Sequence, residues 1–169
     1  MRTVFNLLGP LANPAGATAQ LVGAPSEEAA ELMAQALAAL GLPRGFVVHG
    51  SDGLDEITTT GATLVYEIRA GDVERRSITP EDFGVAPASA EDLKGGDAAD
   101  NAGIVRAVLS GAAGPQRDIV LVNASAALVA AGQVQDFSAG LRVAAAAIDS
   151  GAARNKLERL AAFGRSTRW

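Results

Sequence analysis

Residues 18–50 read "TAQLVGAPSEEAAELMAQALAALGLPRGFVVHG", and this stretch decides the fold class. The run at 18–23, "TAQLVG", has the length and apolarity of a short buried strand. It gives way to strong helix signals: Ser26 as N-cap, Glu27 and Glu28 in the first turn, Gly41 as the stop and Pro43 beyond it. Helical spacing places Leu32, Met33, Ala36, Leu37 and Leu40 on one face. A second compact apolar run, "GFVVHG", follows at 45–50. Strand, helix and strand within about thirty residues is the pattern of a right-handed parallel crossover, so this part of the chain is α/β.

Working outward, residues 63–80, "TLVYEIRAGDVERRSITP", predict a hairpin. Leu64, Tyr66 and Ile68 alternate with Thr63, Val65 and Glu67, and "AGD" supplies the turn. The rest reads as helical. Thr79-Pro80-Glu81-Asp82 combines a cap, a proline at the first helical position and a capping-box acid. Asp97 and Asp100 are placed to open a helix through Leu109, stopped by Gly111. "RDIVLVNASAALVAAG" (117–132) is apolar almost all round, which for a helix means burial. Asp136 to Ser150 and Gly151 to Phe163 complete the chain as two amphipathic helices.

Composition bounds the function classes. At 169 residues the chain is one domain by length, spanning 1–169. Hydrophobic residues at 49% and charged residues at 20% are ordinary for a globular protein, while aromatics at 4% leave the core to Ala, Val, Leu and Ile. No apolar run approaches a membrane span, and "MRTVFNLLGPLANP" is a poor signal peptide, with one charge and then a Gly-Pro break. Zero cysteines exclude disulfides and thiolate metal sites and fit a cytoplasmic protein. The net charge of -5 argues against nucleic-acid binding. Arg154, Lys156, Arg159, Arg165 and Arg168 nevertheless crowd the last sixteen positions, where a solvated cationic helix end suits the helix dipole.

The chemistry concentrates in "HGSDGLDEITTTG" (49–61), which places Asp52, Asp55 and Glu56 within five positions and has no Lys or Arg near it. The loop leaves the carboxyl end of an expected parallel strand, the edge at which open α/β sheets bind ligands. Adjacent hard oxygen ligands without His or Cys suit Mg²⁺ shared with substrate phosphates; a solvated Asp-Gly turn is the alternative. His49, alone at a strand end, reads as a hydrogen-bonded structural residue rather than a base. "GGDAADNAG" (95–103) has the glycines of a phosphate cradle, but Asp97 and Asp100 would oppose a phosphate, so a helix cap is the better reading. No Ser/His/Asp or Cys/His set can be assembled, and no Walker or Rossmann glycine fingerprint occurs.

Six segments in sequence, "RTVFNLLGPLANPAGA" (2–17), "VVHGSDGLDEITTTG" (47–61), "ITPEDFG" (78–84), "GGDAADNAGIVRAVLSG" (95–111), "RDIVLVNASAALVAAG" (117–132) and "AIDSGAARNKLERL" (147–160), resemble the anthranilate phosphoribosyltransferase family of tryptophan biosynthesis. The resemblance covers essentially the whole chain. It implies the C-terminal part of a nucleoside phosphorylase/phosphoribosyltransferase-type α/β domain, with parallel strands, a hairpin and a helical C-terminal half. It also implies transfer of phosphoribosyl from phosphoribosyl pyrophosphate to anthranilate with Mg²⁺ as cofactor. By resemblance, Asp55 and Glu56 hold magnesium on the pyrophosphate side, and Arg2 contacts the anthranilate carboxylate, a sensible partner for an arginine. The family joins a small helical domain to a larger α/β domain and usually forms homodimers.

Several family segments do not occur in this sequence: the Gly-Thr-Gly-Gly-Asp cradle, the Lys-His-Gly-Asn-Arg segment and the Ser or Thr for a further magnesium. The expectation is therefore an N-terminally truncated portion with half an active site and negligible activity alone. Self-association or an N-terminal-half partner would cover the exposed surfaces. The competing readings are a pyrimidine nucleoside phosphorylase relative, a non-catalytic nucleic-acid-binding relative supported only by the basic tail, and a remnant without a ligand.

Overall fold

The computed structural model describes residues 5–166, with side chains from residue 8 onward; Arg2 lies outside the described residues. Four strands form one sheet in the order β1-β2-β3-β4, with β1 at Ala19–Gly23, β2 at Arg44–Gly50, β3 at Thr63–Arg69 and β4 at Asp72–Ile78. The strand pair flanking the first crossover, β1 and β2, is parallel, with Leu21 opposite Phe46 and Val22 opposite Val47. The β2–β3 and β3–β4 pairs are antiparallel, so the sheet is mixed. The expected hairpin turns at Ala70 and Gly71, whose φ angles are +52° and +96°. Positive φ at both central residues suits a two-residue turn between right-twisted strands.

Helix α2 (Glu27–Ala39) closes the β1–β2 crossover. The Ser26 hydroxyl accepts from the Ala29 amide at its start. At its end Gly41 takes φ +83°, and the Leu42 amide returns to the Leu37 carbonyl, the bond pattern of a Schellman cap. The buried stripe of α2 is Ala30, Met33, Ala34 and Leu37, packed on Val22, Val47, Tyr66 and Ile68 of the sheet. Three residues expected on this face lie off the buried stripe: Leu32 is 63% and Leu40 67% exposed, and Ala36 is half-buried. Leu32, Ala36 and Leu40 repeat every four residues and form the neighbouring row, tilted away from the sheet. The alanines at 30 and 34 let the backbone lie close to it.

The opposite face of the sheet is covered by α4 (Pro115–Ala130), which packs Val122, Ala126, Val129 and Ala130 against Phe46, Val48, Val65 and Ile78. Burial of both faces explains why "GFVVHG" has no polar alternation. The remaining helices are α1 (Phe5–Leu11), α3 (Ala98–Leu109), α5 (Phe137–Asp149) and α6 (Ala152–Ser166). Helix α1 runs through Gly9-Pro10 rather than breaking there. The capping box at Thr79 forms, with the Asp82 carboxylate accepting from the Thr79 amide at 2.7 Å, but it opens only one 3₁₀ turn, Pro80–Phe83. A smaller helical core joins Val108, Leu121, Ala144 and Ile148. Helix α6 forms as the expected amphipathic helix and packs through Ala153 on this helical core, and no described residue of it is buried. Among the described residues no helix is long and apolar enough to cross a membrane.

The α2 packing predicts a clear contrast. Met33→Ala should cost about 2–5 kcal/mol, because Met33 is 1% exposed. Leu32→Ala should stay within about 0.5 kcal/mol. Urea unfolding of the two variants checks this, and equal losses would contradict the assignment of the buried stripe.

Candidate functional site

The acidic loop connects β2 to β3 and lies where the parallel pair ends, as expected. Its shape begins with Asp52. Thr58 Oγ1 and Thr60 Oγ1 each donate to Asp52 Oδ2 at 2.6 Å, and the Leu54 amide donates to Oδ1 at 3.1 Å. The turn is closed by the Gly50 amide on the Leu54 carbonyl and by Gly53, whose φ of +90° favours glycine. A Cβ at Gly50 would stand 2.6 Å from Asp52 Oδ1, so the strand end must be bare. Burial works to raise the Asp52 carboxyl, but the hydrogen bonds from Thr58, Thr60 and Leu54 outweigh it and hold it below the usual carboxylate range. Asp52 is thus an internal acceptor that shapes the loop.

Asp55 and Glu56 are different. Both are exposed, and among the described residues neither carboxylate has a hydrogen-bond or ion-pair partner. Although Glu56 is exposed as a residue, it borders a cavity, and partial burial first and the adjacent Asp55 charge second push its carboxyl above its ordinary range. A pair of neighbouring anions left without a basic partner is a cost that a cation relieves.

Their backbone is fixed from two sides. On one side it passes against β1: a Cβ at Gly23 would stand 1.7 Å from the Asp55 carbonyl oxygen. On the other, Asn123 reaches across from α4. Its Oδ1 accepts from the Ile57 amide at 2.9 Å, and its Nδ2 donates to the Ile57 carbonyl at 2.8 Å and the Ile119 carbonyl at 3.0 Å. Ile57 itself is 2% exposed and anchors in the core against α4.

Beside Glu56 a cavity of about 520 Å³ opens between the loop, α3 and α4. Its wall is largely apolar (Leu54, Ile104, Ile119), with Asp52, Thr60 and Gln116 among the polar groups beside Glu56; Asp55 is not part of the wall.

The donor set fits magnesium in one specific sense. Among the described residues no group of three or more His, Cys, Asp or Glu side chains is placed to hold a metal by itself. Two adjacent carboxylates without basic partners suit Mg²⁺, which keeps several waters and is commonly bound by one or two carboxylates together with substrate phosphates.

Other candidates take structural roles. His49 Nδ1 donates to the Ala24 carbonyl at 2.9 Å and so ties β2 to the start of α2. In 95–103, Asp97 Oδ1 accepts from the Ala99 and Asp100 amides at 2.8 and 2.9 Å, occupying the donors that a phosphate would need. Asn101 bonds both the amide and the carbonyl of Gly96. The sequence reading missed Gly23, Thr58, Thr60 and Asn123. Only Asn123 carried a local signal, as a lone amide inside an apolar helix.

Two outcomes follow from this geometry. Gly23→Ala should cost about 1–3 kcal/mol through overpacking and should shift the amide resonances of Asp55, Glu56 and Ile57. Unshifted resonances would mean that the close approach does not set the loop. Asp52→Asn should destabilise at neutral pH. Because the folded-state pKa of Asp52 is depressed, its contribution is complete above the ordinary carboxylate pKa and is lost as pH falls through the folded value. The stability gap between Asp52→Asn and the unaltered chain should therefore narrow in acid; a gap independent of pH would contradict the role.

Known proteins match this chain along almost its full length. The model of a glycosyl transferase family, described as its a/b domain, matches residues 1–154. Anthranilate phosphoribosyltransferase from Solibacter usitatus is 69% identical over 166 residues, 98% of this chain and 49% of that protein. The enzyme of that name from Geobacter sulfurreducens is 56% identical over 160 residues, 95% of this chain and 46% of that protein. Among solved structures, anthranilate phosphoribosyltransferase from Thermus thermophilus superposes with a TM-score of 0.87 at 44% identity, over 98% of this chain and 49% of that one. The Saccharomyces cerevisiae enzyme in complex with PRPP and Mg gives 0.80 at 30% identity, over 94% and 46%. The chain spans about half the length of the curated relatives it matches. With its fold and nearly all of its sequence accounted for by that match, the chain belongs to the glycosyl transferase family, a/b domain.

Proposed function

We propose that this chain supplies the magnesium-pyrophosphate side of an anthranilate phosphoribosyltransferase, with Asp55 and Glu56 as the cation ligands. The observation that carries the reading is the Asp55–Glu56 pair itself: adjacent, exposed and without protein partners among the described residues, on a backbone held by Gly23 and Asn123. The 69% identity to a protein of that name supports the substrate assignment, as does the likeness to a yeast structure described with PRPP and Mg.

In this reading phosphoribosyl passes from phosphoribosyl pyrophosphate to the amino group of anthranilate, through a transition state with oxocarbenium character at the ribose. Magnesium, when bound, neutralises charge on the departing pyrophosphate. The chain's own contribution is to hold two carboxylates apart from any lysine or arginine and to aim them outward. Asp52 keeps the intervening turn in shape. The reaction so described needs no protein nucleophile, in keeping with the lack of a Ser/His/Asp or Cys/His set in the sequence. Arg2 is proposed on the resemblance alone to contact the anthranilate carboxylate. A cytoplasmic location and an association that covers the outer face of α6 belong to the same proposal.

Joining this chain to the remaining half of the Solibacter usitatus relative tests it directly. The joined protein should form phosphoribosyl-anthranilate, whereas the 169-residue chain alone should not. Asp55→Asn with Glu56→Gln in the joined protein should lower kcat/KM on the order of 100-fold or more, in line with the several kcal/mol that a catalytic cation supplies. A folded but inactive joined protein, or activity indifferent to the two carboxylates, would overturn the assignment.

A further inference from the structure

We propose that Asn123 is a positioning residue for the Asp55–Glu56 pair, setting the geometry of the cation ligands through the backbone of Ile57 without touching the ligand itself. This rests on the reading of Asp55 and Glu56 as cation ligands.

The argument starts from what Asn123 bonds. Its amide satisfies both the N–H and the C=O of a single residue, Ile57, at 2.9 and 2.8 Å, as a neighbouring strand would. Ile57 directly follows Glu56, so fixing its two peptide planes fixes the direction in which Glu56 leaves the chain. The partner is 66 residues away on a different element, so the contact is not local turn chemistry. Asn123 is itself immobilised: Nδ2 also donates to the Ile119 carbonyl at 3.0 Å, one helical turn back. Val122 and Ser125, its neighbours on α4, are fully buried, which leaves the helix little room to shift.

A second restraint works from the opposite side, because the Asp55 carbonyl rests against Gly23. Residues 55–57 are thereby held between β1 and α4. The pair of like charges cannot relax by swinging this backbone apart, which keeps both carboxylates on one fixed stretch of loop. The glycine can only make room, whereas Asn123 provides directional bonds. Outer-shell groups that orient ligands in this way typically contribute 10–100-fold to metal affinity.

The test titrates the purified chain with Mn²⁺ in the presence of inorganic pyrophosphate, because two carboxylates hold such a cation together with phosphate oxygens. Protein-bound Mn²⁺ is read from its paramagnetic resonance spectrum and folding from thermal unfolding. Asn123→Ala should bind Mn²⁺ about tenfold more weakly than the unaltered chain. Asn123→Ser, small enough to admit a bridging water, should fall between the two while remaining folded. In the Asp55→Asn, Glu56→Gln background, Asn123→Ala should cause no further loss, because the groups it aims are gone. If the carboxylate variant binds Mn²⁺ as well as the unaltered chain, the cation assignment itself fails. If the carboxylate variant loses binding but folded Asn123→Ala stays within about twofold of the unaltered chain, only the positioning role is refuted. Failure of both Asn123 variants to fold would assign the residue to fold stability and equally overturn the proposal.

Discussion

The backbone of Asp55 lies so close to β1 that even a methyl group at position 23 would stand 1.7 Å from its carbonyl oxygen. That contact brings the end of a parallel strand against a loop carrying three carboxylates, and the rest of the site is arranged around it. Glycine at 23 lets the loop settle onto the sheet edge rather than stand off from it. Burial of Ile57 beneath α4 then pulls the chain inward immediately after Glu56. The sheet makes this possible, since packing of α2 and α4 on its two faces leaves the strand ends as the accessible edge.

The three acids divide into two kinds. Asp52 is consumed by hydrogen bonds from Thr58, Thr60 and Leu54, which hold its proton affinity down. Glu56 moves the other way, raised by burial and by the charge of Asp55. An acid stabilised as an anion by its own loop has little left for a ligand. An acid that is uncomfortable as an anion gains most from a cation. The electrostatics of the loop thus set Glu56 apart from Asp52. Asp55 joins it as the adjacent carboxylate without a partner among the described residues, the pair that the resemblance of "DGLDEITTTG" to the family's Asp-Glu motif implies. Left free, the pair would relieve its repulsion by turning the backbone apart, and the bonds from Asn123 to Ile57 oppose that turn.

Much of the fold was legible because its signals are local. Ser26, Gly41, Asp97 and Asp136 stand at helix boundaries and make the caps that their residue types suggest. The alternation of Leu64, Tyr66 and Ile68 with Thr63 and Val65 marked a strand, and "AGD" marked its turn. Leu32 and Leu40 misled, since hydrophobicity suggested one broad apolar face on α2 whereas the sheet takes only the row through Met33 and Leu37. The amphipathic pattern of α6 marked a helix correctly, although no described residue of it is buried. The site was half legible. Asp55 and Glu56 stand out by charge and by family motif, but Gly23 is just a glycine after a strand and Asn123 one amide in an apolar helix. Their roles exist only once residues far apart in the chain are brought together, and no local rule encodes that.

The central claim is that Asp55 and Glu56, rather than Asp52, form the cation-binding edge of this domain. Its most direct test is an anomalous difference map from crystals of the chain soaked with Mn²⁺ and inorganic pyrophosphate. The account predicts a manganese peak bridged by the Asp55 and Glu56 carboxylates, with Asp52 still bonded to Thr58 and Thr60. A peak on Asp52, or bound pyrophosphate with no metal at the pair, would contradict it.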